Sequence, residues 1–178
     1  MATDRLNYRA NDNVKLPAAP SQTTMSPHRR RLVLALGLST LSPAAWSAGA
    51  ELPLASSLPE HLAAALKQGD PLVVMVSLRG CPFCKVAREN YLAPLLRAEK
   101  LPVIQVDMQS PQVLRNVLGA ATTHQQQVRA WGVRVAPTVL FLGRGGVEIA
   151  KRLVGASLPD FYGAYLEESL LVARKTLA

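Results

Sequence analysis

Apolar and polar positions fall into blocks along this chain, and the blocks predict strands and helices in alternation. Residues 59–68 have the spacing of a short helix, with Gly69 placed to end it. Leu72-Val73-Val74-Met75-Val76 is an unbroken apolar run, the pattern of a strand covered on both faces of a mainly parallel sheet. Residues 81–100 read as helical, with Pro94 forcing a kink or a break. Val103-Ile104-Gln105-Val106 predicts a second strand, ended by Asp107. Residues 108–132 are polar and expected to be helical in part, with Gln125-Gln126-Gln127 as a short biased tract. Pro137-Thr138-Val139-Leu140-Phe141-Leu142 predicts a third strand. Arg144-Gly145-Gly146 is a turn signal, so residues 147–153 should return as the second arm of a hairpin. A last helix is expected from about Leu158, where Tyr162, Tyr165, Leu166 and Leu170 recur at spacings of three and four. The order β-α-β-α-β-β-α implies α/β architecture, with parallel pairing and a right-handed crossover first and an antiparallel hairpin after it.

The first fifty residues follow another plan. Met25-Ser26-Pro27-His28-Arg29-Arg30-Arg31 runs into Leu32-Val33-Leu34-Ala35-Leu36-Gly37-Leu38-Ser39-Thr40-Leu41, a positive cluster followed by an apolar stretch. That is the layout of a secretory signal peptide. Ala45-Trp46-Ser47 and Ala48-Gly49-Ala50 both fit a small-x-small cleavage site. The apolar stretch is too short to cross a hydrocarbon layer of ~30 Å. A buried amphipathic helix would be the structural alternative, but the triple-Arg entry and the Ser42-Pro43 exit argue against it. Arg29-Arg30-Arg31-Leu32-Val33 also loosely matches a twin-arginine export signal. Residues 1–24 are polar and aperiodic, and Met25 is an alternative start. The division expected is an N-terminal extension with signal peptide over 1–50 and one folded domain over 51–178, exported to a bacterial periplasm.

Composition narrows the classes. The chain has 178 residues, 49% of them apolar and 18% charged, so a packable core is available and a disordered or fibrous protein is excluded. The net charge of +8 invites a nucleic-acid reading. Half of that excess lies in residues 1–50, which weakens it, and no nucleic-acid partner is expected. Two cysteines exclude a multi-disulfide scaffold and a four-cysteine zinc site.

The candidate chemistry is Cys81-Pro82-Phe83-Cys84, at a strand-to-helix junction. A cysteine at a helix start meets unpaired backbone N–H groups and the positive end of the helix dipole, and both favour thiolate over thiol. Arg79, Lys85 and Arg88 add positive potential. Cys84, one turn deeper, is placed to attack a mixed disulfide formed at Cys81. Pro82 opens the helix at a position whose N–H would be unpaired anyway. Half a zinc site is one competing reading, but no second cysteine pair exists, and His61 and His124 are isolated. A purely structural disulfide is another, with weak physical motive, since so small a loop removes little unfolded-state entropy.

Together with Trp131-Gly132-Val133-Arg134-Val135-Ala136-Pro137-Thr138, these residues resemble the thioredoxin superfamily over roughly residues 71–171. The resemblance implies a thioredoxin fold: a central mixed sheet with parallel βαβ and antiparallel ββα halves and helices on both faces. It implies thiol–disulfide oxidoreductase activity with Cys81 and Cys84 as the redox-active pair, supported by Pro82 and Phe83. It also implies a cis-proline at Pro137, with the Ala136 backbone gripping an extended substrate. No bound cofactor or metal is expected. The partners would be protein thiols or disulfides and a partner redox protein, a membrane-bound one among the candidates, with the protein itself a monomer. A disulfide-forming oxidase and a non-enzymatic binding module are the alternatives. The chain departs from thioredoxins where they carry a buried Asp, its Lys partner and a Trp before the first cysteine; here stand Met75, Val103 and Gly80. The stretch 107–131 is longer than in a minimal thioredoxin and resembles the extra helical segment of periplasmic relatives.

Overall fold

The structure, a computed structural model, describes residues 50–156 and 159–178. The expected signal peptide, the alternative start at Met25 and residues 157 and 158 lie outside the described residues. The elements are α1 (Leu58–Lys67), β1 (Leu72–Ser77), α2 (Pro82–Val86), a π-helical turn (Ala87–Leu92), α3 (Ala93–Ala98), β2 (Val103–Asp107), β3 (Val113–Arg115), β4 (Ala121–Thr123), α4 (His124–Ala130), β5 (Thr138–Leu142), β6 (Leu153–Val154) and α5 (Pro159–Leu177).

The central sheet has the order β2-β1-β5-β6. β1 pairs parallel with β2, placing Val73 opposite Val103, and antiparallel with β5, placing Met75 opposite Val139. A parallel bridge between Leu54 and Gln105 adds a short edge beyond β2. The unbroken apolar runs are explained by two-sided burial. Side chains alternate across a strand, so β1 sends Val73 and Met75 to one face and Leu72, Val74 and Val76 to the other. The first set packs with Phe141 of β5, with the α2–α3 arm and with Tyr162, Leu166 and Leu170 of α5. The second packs with Leu140 and Leu142, with Leu58 and Leu62 of α1 and with Val128 of α4. The mixed sheet and its two helical layers agree with the expected fold class.

Local details differ from expectation in places. Residues 108–132 are helical in part, as expected, over α4, but ahead of it lies a small antiparallel hairpin, β3–β4, that the sequence pattern did not predict. Its turn is set by Asn116, whose Oδ1 accepts the N–H groups of Leu118 and Ala120, both at 3.0 Å. Leu114 is buried while Val113 and Arg115 face out, a strand period too short to stand out in the sequence. The return arm expected over 147–153 pairs only at Glu148 and at Leu153–Val154. Between these points it carries more residues than β5 does, so the ladder is interrupted by a bulge, and the Glu148 carboxylate is ion-paired to Arg152 across it. In α5, Tyr162, Leu166 and Leu170 are buried as the spacing required, but Tyr165 is half exposed.

Pro94 neither breaks nor sharply ends its helix. The preceding turn widens to a π turn over Ala87–Leu92, and the helix resumes with Pro94 in the first turn of α3. A proline can donate no hydrogen bond to the preceding turn, so the chain places it where that donor is not used.

Candidate active site

The site begins where β1 hands over to α2. Gly80 has φ +74°, a left-handed conformation that turns the chain out of the sheet. A residue with a side chain is strained there, which accounts locally for the glycine standing where thioredoxins carry Trp. Cys81 follows as the N-cap of α2, with extended backbone and Pro82 in the first turn. Its Sγ accepts the Cys84 N–H at 3.2 Å, so the sulfur takes the place of the usual Ser or Asp cap. That geometry directs the first backbone N–H groups of the helix at the Cys81 sulfur.

The two thiols occupy different environments. Cys81 is partly exposed, Phe83 lies 56% exposed beside it, and Cys84 is 1% exposed in the core. Both thiols are free. Burial pushes the Cys84 thiol up to about 11, and its hydrogen bond with Cys81 acts in the same direction. The Leu78 backbone and the Ser77 side chain, hydrogen-bonding to Cys84, pull the other way. Behind Cys84 lies Tyr162, whose hydroxyl is buried and has no hydrogen-bond partner. Its ring tilts against Tyr91, with centroids 4.9 Å apart. The Tyr162 phenol is held above its ordinary range, first by burial and then by the negative charge that Cys84 can carry. Met75 is fully buried in the same cluster, at the position of the thioredoxin acid. Besides the Leu78 backbone and Cys81 itself, the polar groups acting on the inner thiol include the Ser77 hydroxyl of β1, and the Tyr162 hydroxyl of α5 feels its charge.

The second wall of the site comes from α4. The helix opens on a capping box, in which Thr123 accepts the Gln126 N–H and the Gln126 side chain accepts the Thr123 N–H. It closes on a Schellman motif: the Gly132 N–H donates to the Arg129 carbonyl at 2.9 Å and the Val133 N–H to the Val128 carbonyl at 3.1 Å. Gly132 supplies the left-handed residue, at φ +66°. From this fixed end the chain runs through Arg134 and Val135 to Ala136 and Pro137, whose peptide bond is cis. The Thr138 hydroxyl donates to the Val135 carbonyl at 2.7 Å, and Arg152 Nη1 to the Trp131 carbonyl at 3.0 Å. The Cys81 thiol donates toward the Ala136 carbonyl at 3.8 Å, across 55 residues of sequence. Cys81, Cys84 and the Ala136–Pro137 turn therefore meet at one place.

Arg79, Lys85 and Arg88 line an open cleft of about 520 Å³ that begins at Cys81 and reaches Gln105 and Asp107 on β2. Ser77 and Tyr162 were not singled out from the sequence as site residues. Ser77 had a signal: it is the first polar residue after the apolar run of β1, four positions before Cys81. Tyr162 read only as one apolar position of α5. Among the described residues no three His, Cys, Asp or Glu side chains cluster as a metal site. His124 is committed elsewhere, buried between the Asp107 N–H and the Ala55 carbonyl.

The family model of the thioredoxin-like domain matches residues 58–169. Among solved structures, a thioredoxin from Thermus thermophilus is 24% identical, with 71% of this chain and 91% of that one covered and a TM-score of 0.46. A poplar thioredoxin h is 19% identical, with 64% and 95% covered and a TM-score of 0.45. The periplasmic thioredoxin SoxS from Paracoccus pantotrophus is 23% identical, with 57% and 97% covered and a TM-score of 0.41. No curated protein matches the chain as a sequence relative.

Proposed function

The chain belongs to the thioredoxin-like family, and we propose that it works as an exported thiol–disulfide oxidoreductase on protein substrates. The observation that carries this reading is the asymmetry of the pair. Cys81 sits partly exposed at a helix start with its sulfur 3.8 Å from the Ala136 carbonyl, and Cys84 is buried directly behind it. In the reductive direction the Cys81 thiolate attacks one sulfur of a substrate disulfide. A mixed disulfide forms, and the departing substrate thiolate takes up a proton. The Cys84 thiol, losing its proton, then attacks Cys81 Sγ. This breaks the mixed disulfide, releases the second substrate thiol and leaves the protein with a Cys81–Cys84 disulfide, two electrons having passed to the substrate. A partner dithiol would return the electrons. Run backwards, the same steps place a disulfide in the substrate.

Ala136 and Pro137 serve in this reading as the surface against which an extended substrate lies, its backbone meeting the Ala136 backbone groups. Pro82 and Phe83 support the pair. The high value of the Cys84 thiol, about 11, keeps it protonated until the mixed disulfide has formed, so that Cys81 alone meets incoming disulfides.

The test is trapping. Cys84→Ser should accumulate mixed disulfides with cell-envelope proteins, because Cys81 still attacks and nothing resolves the product. Cys81→Ser should trap almost nothing. Equal trapping by both variants would reverse or remove the assigned roles, and no trapping by either would reduce the protein to a binding module.

A further inference from the structure

We propose that the cleft beside Cys81 receives acidic side chains of a peptide or protein substrate, so that the protein selects disulfides flanked by Asp or Glu. The inference rests on the oxidoreductase reading and adds a substrate class to it.

Three cations line this cleft, and their charge is not cancelled. Arg79 and Lys85 are exposed, and Arg88 is half buried. Among the described residues the ion pairs are Arg152 with Glu148 and Arg174 with Asp70 and Glu99, all away from the cleft. The one side-chain partner of Arg88 is neutral, the Gln105 Oε1 at 3.0 Å, which aims the guanidinium without neutralising it. The single carboxylate in the lining, Asp107, already accepts the Gln109 N–H at 3.0 Å and pairs with none of the three.

The cleft and the Ala136–Pro137 turn share Cys81 but no other lining residue. A substrate chain that lies on the turn and extends past the thiol into the cleft meets the cations there. A carboxylate there meets Arg and Lys side chains that no carboxylate of the described residues pairs with, an attraction in an open cleft that salt screens. A basic substrate meets three like charges. An extended acidic segment fits better than a small anionic disulfide, because the cations come from three successive segments, the loop before Cys81, α2 and the π-helical turn.

The experiment uses two synthetic disulfide peptides, identical except that Glu or Lys flanks the cysteine. At low salt the reduced protein should reduce the acidic peptide in a single turnover with a second-order rate constant about tenfold higher, and at high salt the ratio should shrink toward one. In R79Q/K85Q/R88Q the ratio should approach one at low salt as well. The ratio is the readout, so any effect of the substitutions on the reactivity of Cys81 cancels. R79Q/K85Q, confined to exposed positions, should show an intermediate ratio should Arg88 prove necessary for folding. Reduction of both peptides at equal rates by the wild type would overturn the inference while leaving the oxidoreductase reading intact. A preference that survives in the triple variant would also overturn it. Reduction of neither peptide, with no oxidation of either reduced peptide by the disulfide form of the protein, would defeat both. Competition by glutathione disulfide that disappears in the triple variant would assign the cleft to a small anionic disulfide instead.

Discussion

At the scale of single residues, environment separates groups that the sequence presents as equivalent. The Cys-x-x-Cys spacing made both cysteines visible, and the N-cap role of Cys81 followed from Pro82. The companions of Cys84 were less legible, because Ser77 and Tyr162 approach it from β1 and α5 and no local spacing links them to it. His124 shows the same limit. In sequence it is an isolated histidine; in the fold it is fully buried, with Nδ1 accepting the Asp107 N–H at 3.1 Å and Nε2 2.9 Å from the Ala55 carbonyl. Only the neutral ring protonated at Nε2 satisfies both bonds, and burial lowers its affinity for a second proton from the ordinary value of 6.5. His61 is lowered by burial too, against the opposing charge of Glu60. Below about pH 6.5 the unfolded chain therefore binds protons that the folded state does not, so stability is complete above that value and falls as the pH drops through it. The slope is at most about 1.4 kcal/mol per pH unit for each group. Urea unfolding should show a midpoint that declines from pH 7 to pH 5, with a shallower decline in His124→Gln. A midpoint constant over that window would contradict this account of His124.

Among the elements, long apolar runs were read correctly and short or interrupted ones were not. β1 and β5 announce themselves because both of their faces are buried. β3 and β4 have three residues each and one buried apolar side chain between them, Leu114, so tertiary contact and the Asn116 turn decide their conformation. The bulge after β5 is likewise set by pairing across the sheet, which no pattern within residues 147–153 reveals. The end of α4 was not read from the sequence, where Trp131-Gly132-Val133 served only the family resemblance; it delivers the chain to Ala136 and Pro137. Gly132→Ala would place a side chain at φ +66°, at a cost of roughly 1–2 kcal/mol. The variant should lose about that much stability in chemical unfolding. Its turnover of a protein disulfide should fall more than its reaction with iodoacetamide, because the Ala136–Pro137 turn, proposed to meet the substrate, shifts while Cys81 does not. Unchanged stability would show that the closing turn of α4 tolerates a side chain there.

For the whole molecule, one sheet holds the site at the junction of two cores. The cluster of Val73, Met75 and Phe141 buries Cys84, and the opposite cluster anchors α4, so both walls of the site are referred to the same strands. The fold was legible at this scale because the order of elements leaves few topologies open. Location is a separate matter, carried by residues 25–50. If the triple-Arg cluster and the apolar run direct export, protein recovered from the cell envelope should begin at Ala48 or Glu51 by intact mass. Full-length chain found only in the cytosol would remove the export proposal and leave the chemistry of the pair untouched. That chemistry is the central claim, and a redox titration tests it most directly. The protein is equilibrated across a series of glutathione buffers, quenched with an alkylating agent and weighed. The account predicts one two-electron transition, with both cysteines changing together and a midpoint between roughly −270 and −120 mV, the span of dithiol proteins that exchange disulfides. A pair that stays fully reduced across the series, or two cysteines that titrate independently, would contradict it.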